Sequence, residues 1–132
     1  MASHNYLTLD DVLGIHQDSI EAFGGSHGIR DVGGLESAVM RPQSGYYAGV
    51  IAEAAALWES LSQNHPFLDG NKSTAIASMA AHLGINGLWL RTDQLVAYRF
   101  MMDLYESGRF RMAELEPWLR ARVLAADPNW GG

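Results

Sequence analysis

The chain has 132 residues, of which 48% are apolar, so it is long enough for one domain around one core. It contains no cysteine, which excludes disulfides and thiolate metal sites and fits a reducing compartment. A formal net charge of −6 without a Lys/Arg run argues against direct nucleic-acid binding, and no apolar run approaches the ~20 residues of a membrane span.

The start of the chain lacks the charged-then-apolar layout of a secretory signal, so a cytoplasmic protein is expected. We expect a single domain over 1–132, with loose termini at 1–7 and 127–132. Thr8-Leu9-Asp10-Asp11 reads as a capping box, with Thr8 as N-cap and Asp11 at the third position. Val12, Ile15, Ile20 and Phe23 follow at helical spacing, and Gly24-Gly25 ends that helix. His16 falls on its flank, where a surface or partly packed residue is expected. His27 has no partner at metal-ligand spacing and reads as a loop residue. The glycine-rich stretch from Gly24 to Gly34 feeds a short helix to about Met40, which Pro42 stops.

Residues 41–49 form a loop that carries Arg41, Tyr46 and Tyr47. Val50 to Gln63 reads as a helix with Ile51, Ala54, Ala55, Trp58 and Leu61 on one face and Glu53 and Glu59 on the other. A second Ala-rich helix runs from Asn71 to Leu83, with Gly84 as its C-cap and His82 placed to interact with the helix dipole. After a turn at 85–88, Thr92-Asp93 opens a helix with the stripe Leu95, Tyr98, Met102 and Tyr105, closed by Gly108. The last helix covers about 112–125, with Pro117 in its first turn or at its start. No stretch has a convincing strand pattern. The expected fold class is therefore all-α, with about six helices around the central Ala-rich one.

Between the two Ala-rich helices lies His65-Pro66-Phe67-Leu68-Asp69-Gly70-Asn71-Lys72. Taken singly, each residue has an ordinary reading: Asp69-Gly70 is a turn pair, Asp69 or Asn71 caps a helix, and Phe67 pins a loop to the core. Together they supply more. A histidine accepts a proton near neutral pH, and a carboxylate four residues on suits a hard divalent cation. Gly70 lets the backbone approach a ligand, the helix start favours anions, and Lys72 adds a point charge for phosphate. These are the parts of a phosphoryl- or nucleotidyl-transfer site. A metallohydrolase is not supported, because His65 and Asp69 alone are too few ligands.

The motif resembles the central motif of the Fic/Doc superfamily. Lys72 after Gly-Asn, where the AMP-transferring Fic proteins carry a second glycine, makes it similar to the Doc (death-on-curing) branch. Gly28-Ile29-Arg30-Asp31 with Gly34-Leu35-Glu36-Ser37-Ala38 resembles a second block of Doc-like chains. The resemblance implies an all-α Fic/Doc fold and a set of roles. His65 would be the general base toward a Ser or Thr hydroxyl of a protein substrate, and Asp69 the Mg²⁺ ligand. Gly70 and Asn71 would donate to the phosphates of ATP, and Lys72 would contact them. Arg41, Tyr46 and Tyr47 would belong to a flap that lines up the target. The implied activity is γ-phosphate transfer to a target of the elongation factor Tu class, arresting translation. The implied partner is an antitoxin supplied in trans, since neither end of the chain carries the family's inhibitory pattern. Doc-like motifs continue with arginine after the lysine, and this chain has Ser73. Serine lacks the bidentate guanidinium, which implies an attenuated or inactive form. The alternatives are a Fic-type nucleotidyl (AMP) transferase and a non-catalytic nucleotide- or antitoxin-binding module.

Overall fold

The computed structural model describes residues 4–125. Within them the chain forms six α-helices, a 3₁₀ turn and one small antiparallel sheet, so the all-α reading holds. The expected loose tail at 127–132 lies outside the described residues.

Helix α1 spans Leu9–Phe23, and the capping box is formed: Thr8 Oγ accepts from the Asp11 N–H and the Asp11 carboxylate accepts from the Thr8 N–H. Helix α2 spans Val32–Met40 and starts two residues before the expected glycine, because Asp31 caps the Gly34 N–H. Pro42 ends the α-helix by tightening it into a 3₁₀ turn at Arg41–Gln43. Helix α3 (Val50–Gln63) and helix α4 (Asn71–Ile85) share the most extensive contact in the fold. Small residues explain the closeness: Ala54, Ala55, Ala56 and Ala75 are fully buried between larger neighbours. Helix α5 spans Gln94–Glu106, capped by Asp93, and α6 spans Met112–Arg120. Trp58 sits fully buried beneath α5 and α6, where its indole N–H meets Met101 Sδ at 3.2 Å.

Several expectations are corrected. Residues 88–90 and 123–125 form strands β1 (Leu88–Leu90) and β2 (Val123–Ala125), paired Leu88 to Ala125 and Leu90 to Val123. The last helix consequently stops at Arg120. Pro117 lies inside that helix rather than in its first turn. Gly84 is inside α4 rather than its cap; the C-cap is Asn86, which also binds the lead-in through Asn5. The stripe on α5 is offset: Ala97, Met101 and Leu104 are buried, whereas Leu95 and Tyr98 are exposed.

The expected polar face of α3 is also corrected at one position. Glu53 is buried and accepts from His4 Nδ1 (2.8 Å), Tyr6 Oη (3.1 Å) and His82 Nε2 (3.1 Å). A buried carboxylate is tolerable only with such partners. The cluster ties residues 4–7 to the core, so this part of the lead-in is not loose. Burial pushes the His82 imidazole down from its usual pKa, against the upward pull of Glu53.

Candidate active site

The motif loop enters from the C-terminus of α3 and leaves as the N-terminus of α4. Phe67 is the anchor expected from the sequence: it is buried and stacks on the His16 ring at 3.7 Å, nearly parallel. His16 is therefore interior rather than on a surface flank. Its Nε2 lies 2.8 Å from the Asp69 backbone oxygen. A carbonyl only accepts, so Nε2 carries the proton. The Ser26 N–H donates to Asp69 Oδ2 at 2.7 Å. Gly25 makes that approach possible, because a Cβ there would sit 2.9 Å from Asp69 Cβ. Asp69 Oδ1 has no hydrogen-bond partner among the described residues.

Gly70 caps α4 in left-handed backbone with φ 77°, close enough to Ile20 that a Cβ would be 3.0 Å from its Cδ1. No side chain caps this helix start. The N–H groups of its first turn are available to an anion. The Asn71 side chain is committed elsewhere: Oδ1 accepts from the Phe67 N–H (2.9 Å) and Nδ2 donates to the Phe67 carbonyl (3.0 Å). It closes the loop on itself with one of its two amide N–H groups, leaving the second beside the Asn71 backbone N–H. Ser73 Oγ donates to the Gly70 carbonyl at 3.3 Å, again within the turn.

Two charged or titratable groups are left open. The His65 ring has no hydrogen-bond partner among the described residues and lies half-buried. Lys72 has no carboxylate partner among them; its Nζ sits 4.7 Å from the Tyr105 ring centroid, and Tyr105 stacks on Phe110. An aromatic face holds an ammonium without neutralising it.

His65, Asp69, Gly70, Asn71, Lys72 and Ser73 line one cavity of about 590 Å³. Its apolar wall is Phe23, Leu68, Leu95 and Tyr98, and Gln94 lies beside them. The sequence pattern marks Leu95 and Tyr98 only as part of a helical stripe and gives Phe23 no role at the site. The signal was available for α5: a helix with apolar residues on two faces has one face to spare.

Arg41, Tyr46 and Tyr47 are not brought to this cavity. They line a second one, with Glu59 and Arg111, that shares no lining residue with the first. Arg41 donates to the Tyr47 hydroxyl, to Glu59 Oε1 (2.8 Å), to Ser60 Oγ (2.6 Å) and to the Ala56 carbonyl. Burial pulls its guanidinium down, but the bonds to Glu59 and Tyr47 outweigh that and hold it above its ordinary pKa. Tyr46 is 84% exposed.

A match to the Fic/DOC family model runs over residues 6–83. The chain belongs to the Fic/DOC family. It is 48% identical over 94 residues to a protein named Toxin Doc from Mycolicibacterium smegmatis, an alignment that covers 67% of this chain and 69% of that protein. Together with Lys72, this puts it in the Doc-like branch. The Fic/DOC match holds α1 to α3, the whole motif loop and α4 as far as residue 83. It ends before α5, so Gln94, Leu95, Tyr98 and Tyr105 lie beyond the matched span.

Among the described residues no three His, Asp or Glu side chains cluster as a metal cage. Asp69 still fits Mg²⁺, which takes one or two carboxylates and completes its shell with phosphate oxygens and water. The fit rests on an oriented carboxylate with one oxygen held by Ser26 and the other open.

Proposed function

We propose that this Fic/DOC protein is a Doc-like toxin of a toxin–antitoxin pair, an enzyme that moves the γ-phosphate of ATP to a Ser or Thr hydroxyl of a protein target. The observation that carries the reading is the sharing of one cavity by an unpaired imidazole, an open carboxylate oxygen, an uncapped helix start and an ammonium held only by an aromatic ring. The target class is elongation factor Tu, with arrest of translation as the effect and an antitoxin in trans as the control.

His65 takes the hydroxyl proton as the oxygen attacks the γ-phosphorus, and ADP leaves with the bridging oxygen's electron pair. The first-turn N–H groups of α4 and the Lys72 ammonium offset the charge on the phosphate oxygens. Asp69 would hold Mg²⁺, which supplies neutralisation of phosphate charge. Phe23, Leu68, Leu95 and Tyr98 give the cavity an exposed apolar flank. Tyr46, an exposed aromatic of the 41–49 loop, is open to a target segment, while Arg41 and Tyr47 fix that loop to α3. Ser73 donates within its own turn and offers no bidentate phosphate contact, so the rate is attenuated.

The test is transfer of label to protein from ATP labelled at the γ- or the α-phosphate. Phosphoryl transfer expects label from the γ-position only. Label from the α-position would instead assign AMP transfer. Nucleotide binding without transfer, not rescued by Ser73→Arg, would assign a binding module.

A further inference from the structure

We propose that Arg30 is a positioning residue for His65, holding the backbone that aims the imidazole. His65 is the non-glycine residue at positive φ among the described residues, at 45°. Left-handed backbone is disfavoured for a residue with a Cβ, and a residue before proline is restricted further toward extended angles. His65 meets both conditions, since Pro66 follows it. Such a conformation persists where surrounding contacts over-determine it.

Those contacts come from one segment. Arg30 Nε and Nη2 both donate to the His65 carbonyl, at 3.0 and 2.8 Å. The backbone N–H groups of Arg30 and Asp31 donate to the next carbonyl, that of Pro66, at 2.7 and 3.0 Å. The Leu68 N–H donates to the Gly28 carbonyl at 3.1 Å, and Ile29 bridges Phe67. Two consecutive carbonyls of the motif are thus gripped by residues 28–31, the first of them by a planar two-donor fork that lysine cannot reproduce.

The fork matters because the His65 ring has nothing else to orient it. A catalytic histidine is commonly aimed by a carboxylate on its second nitrogen. Here no such group meets the ring among the described residues, so the backbone that fixes the Cα–Cβ direction carries more of the aim. Arg30 is exposed, pairs with no carboxylate among them and does not line the cavity. Its guanidinium is spent on a backbone oxygen, which marks it as acting through His65. The inference rests on the assignment of His65 as the base.

The test uses the full chain as wild type, Arg30→Ala and Arg30→Lys, with two readouts. The three-bond HN–Hα coupling and Cα shift of His65, by NMR, report its backbone angle without any activity. The expected result is a left-handed signature in the wild type, lost in Arg30→Ala and not restored in Arg30→Lys. In γ-phosphate transfer, kcat is expected to fall about 10- to 100-fold in Arg30→Ala with KM for ATP within twofold, the scale of loss for a misplaced reacting group. Guanidinium ion added to Arg30→Ala is expected to recover part of that loss. An unchanged His65 signature, or a raised KM with kcat intact, would overturn the proposal. If the wild type transfers no phosphate, the functional reading falls, and the His65 signature alone decides the role of Arg30.

Discussion

Two polar loops flank helix α3, and they differ in what their charged groups are doing. In the 41–49 loop the charge is consumed. Arg41 meets a tyrosine hydroxyl, a carboxylate, a serine and a main-chain carbonyl, and Glu59 also accepts from the Met112 N–H at 2.8 Å. In the 65–72 loop the backbone and the amide of Asn71 do the structural work, while the reactive groups stay open. The His65 ring, Asp69 Oδ1 and the Lys72 ammonium lack polar side-chain partners among the described residues. His65 and Lys72 are half-buried and Asp69 is exposed, so all three are accessible to a ligand. A loop that braces itself through Asn71, Arg30 and His16 yet leaves these three groups unpaired is built to meet something else.

The comparison can be pushed from both sides. Between the two loops, the larger effect is expected from Ser73→Arg, which adds a guanidinium to the open loop. Phosphoryl transfer should rise on the order of 10²–10³-fold, measured as kcat/KM for ATP. An unchanged rate would break the link between the open loop and phosphate. On the other loop, Arg41→Ala should cost about 1–3 kcal/mol of stability in denaturant unfolding, because it removes the donor to Glu59 Oε1 and Ser60 Oγ. Nucleotide affinity, by calorimetry, should stay within twofold.

A subtler probe is the seat of Lys72. Tyr105→Leu should weaken ATP binding roughly 3- to 10-fold, the worth of a partly exposed cation–π contact. Tyr105→Phe should leave it unchanged, and in a Lys72→Ala background Tyr105→Leu should add nothing. The smallest effect concerns the Glu53 cluster, whose side chains belong to neither loop. The folded pKa of His82 lies below its unfolded value, so the unfolded chain binds more protons in acid. The stability this contributes is present above the unfolded pKa of about 6.5 and is lost as pH falls through the folded value. Melting temperature should therefore decline on acidification from pH 7, and the decline should be shallower in His82→Gln.

Much of the fold was legible from local chemistry. The Thr8–Asp11 box, the Asp93 cap and the bounds of α3 depend on neighbours in sequence, which a reader of the sequence can see. The strands were not: three residues each, without alternation, they exist because Leu88–Leu90 and Val123–Ala125 find one another across α5 and α6. Glu53 looked like a solvent-facing charge because its partners, His4, Tyr6 and His82, come from two other segments. The same division runs through the site. The motif residues share the cavity that their chemistry suggested. Leu95 and Tyr98 of its wall, Tyr105 under Lys72 and Arg30 behind His65 become visible only when α5 and the 28–31 segment are folded against the motif. Asn71 carries a structural duty the sequence did not announce, closing the loop on the Phe67 backbone through its amide.

His65 as the base is the central element of the phosphate-transferring cavity. The most direct measurement is transfer of γ-labelled phosphate from ATP to a protein substrate by Ser73→Arg, with and without His65→Ala, alongside the melting temperature of each. The predicted result is transfer that falls about 10²–10⁴-fold without His65 while the melting temperature holds. Transfer that persists after His65→Ala, in a protein that is still folded, would contradict it.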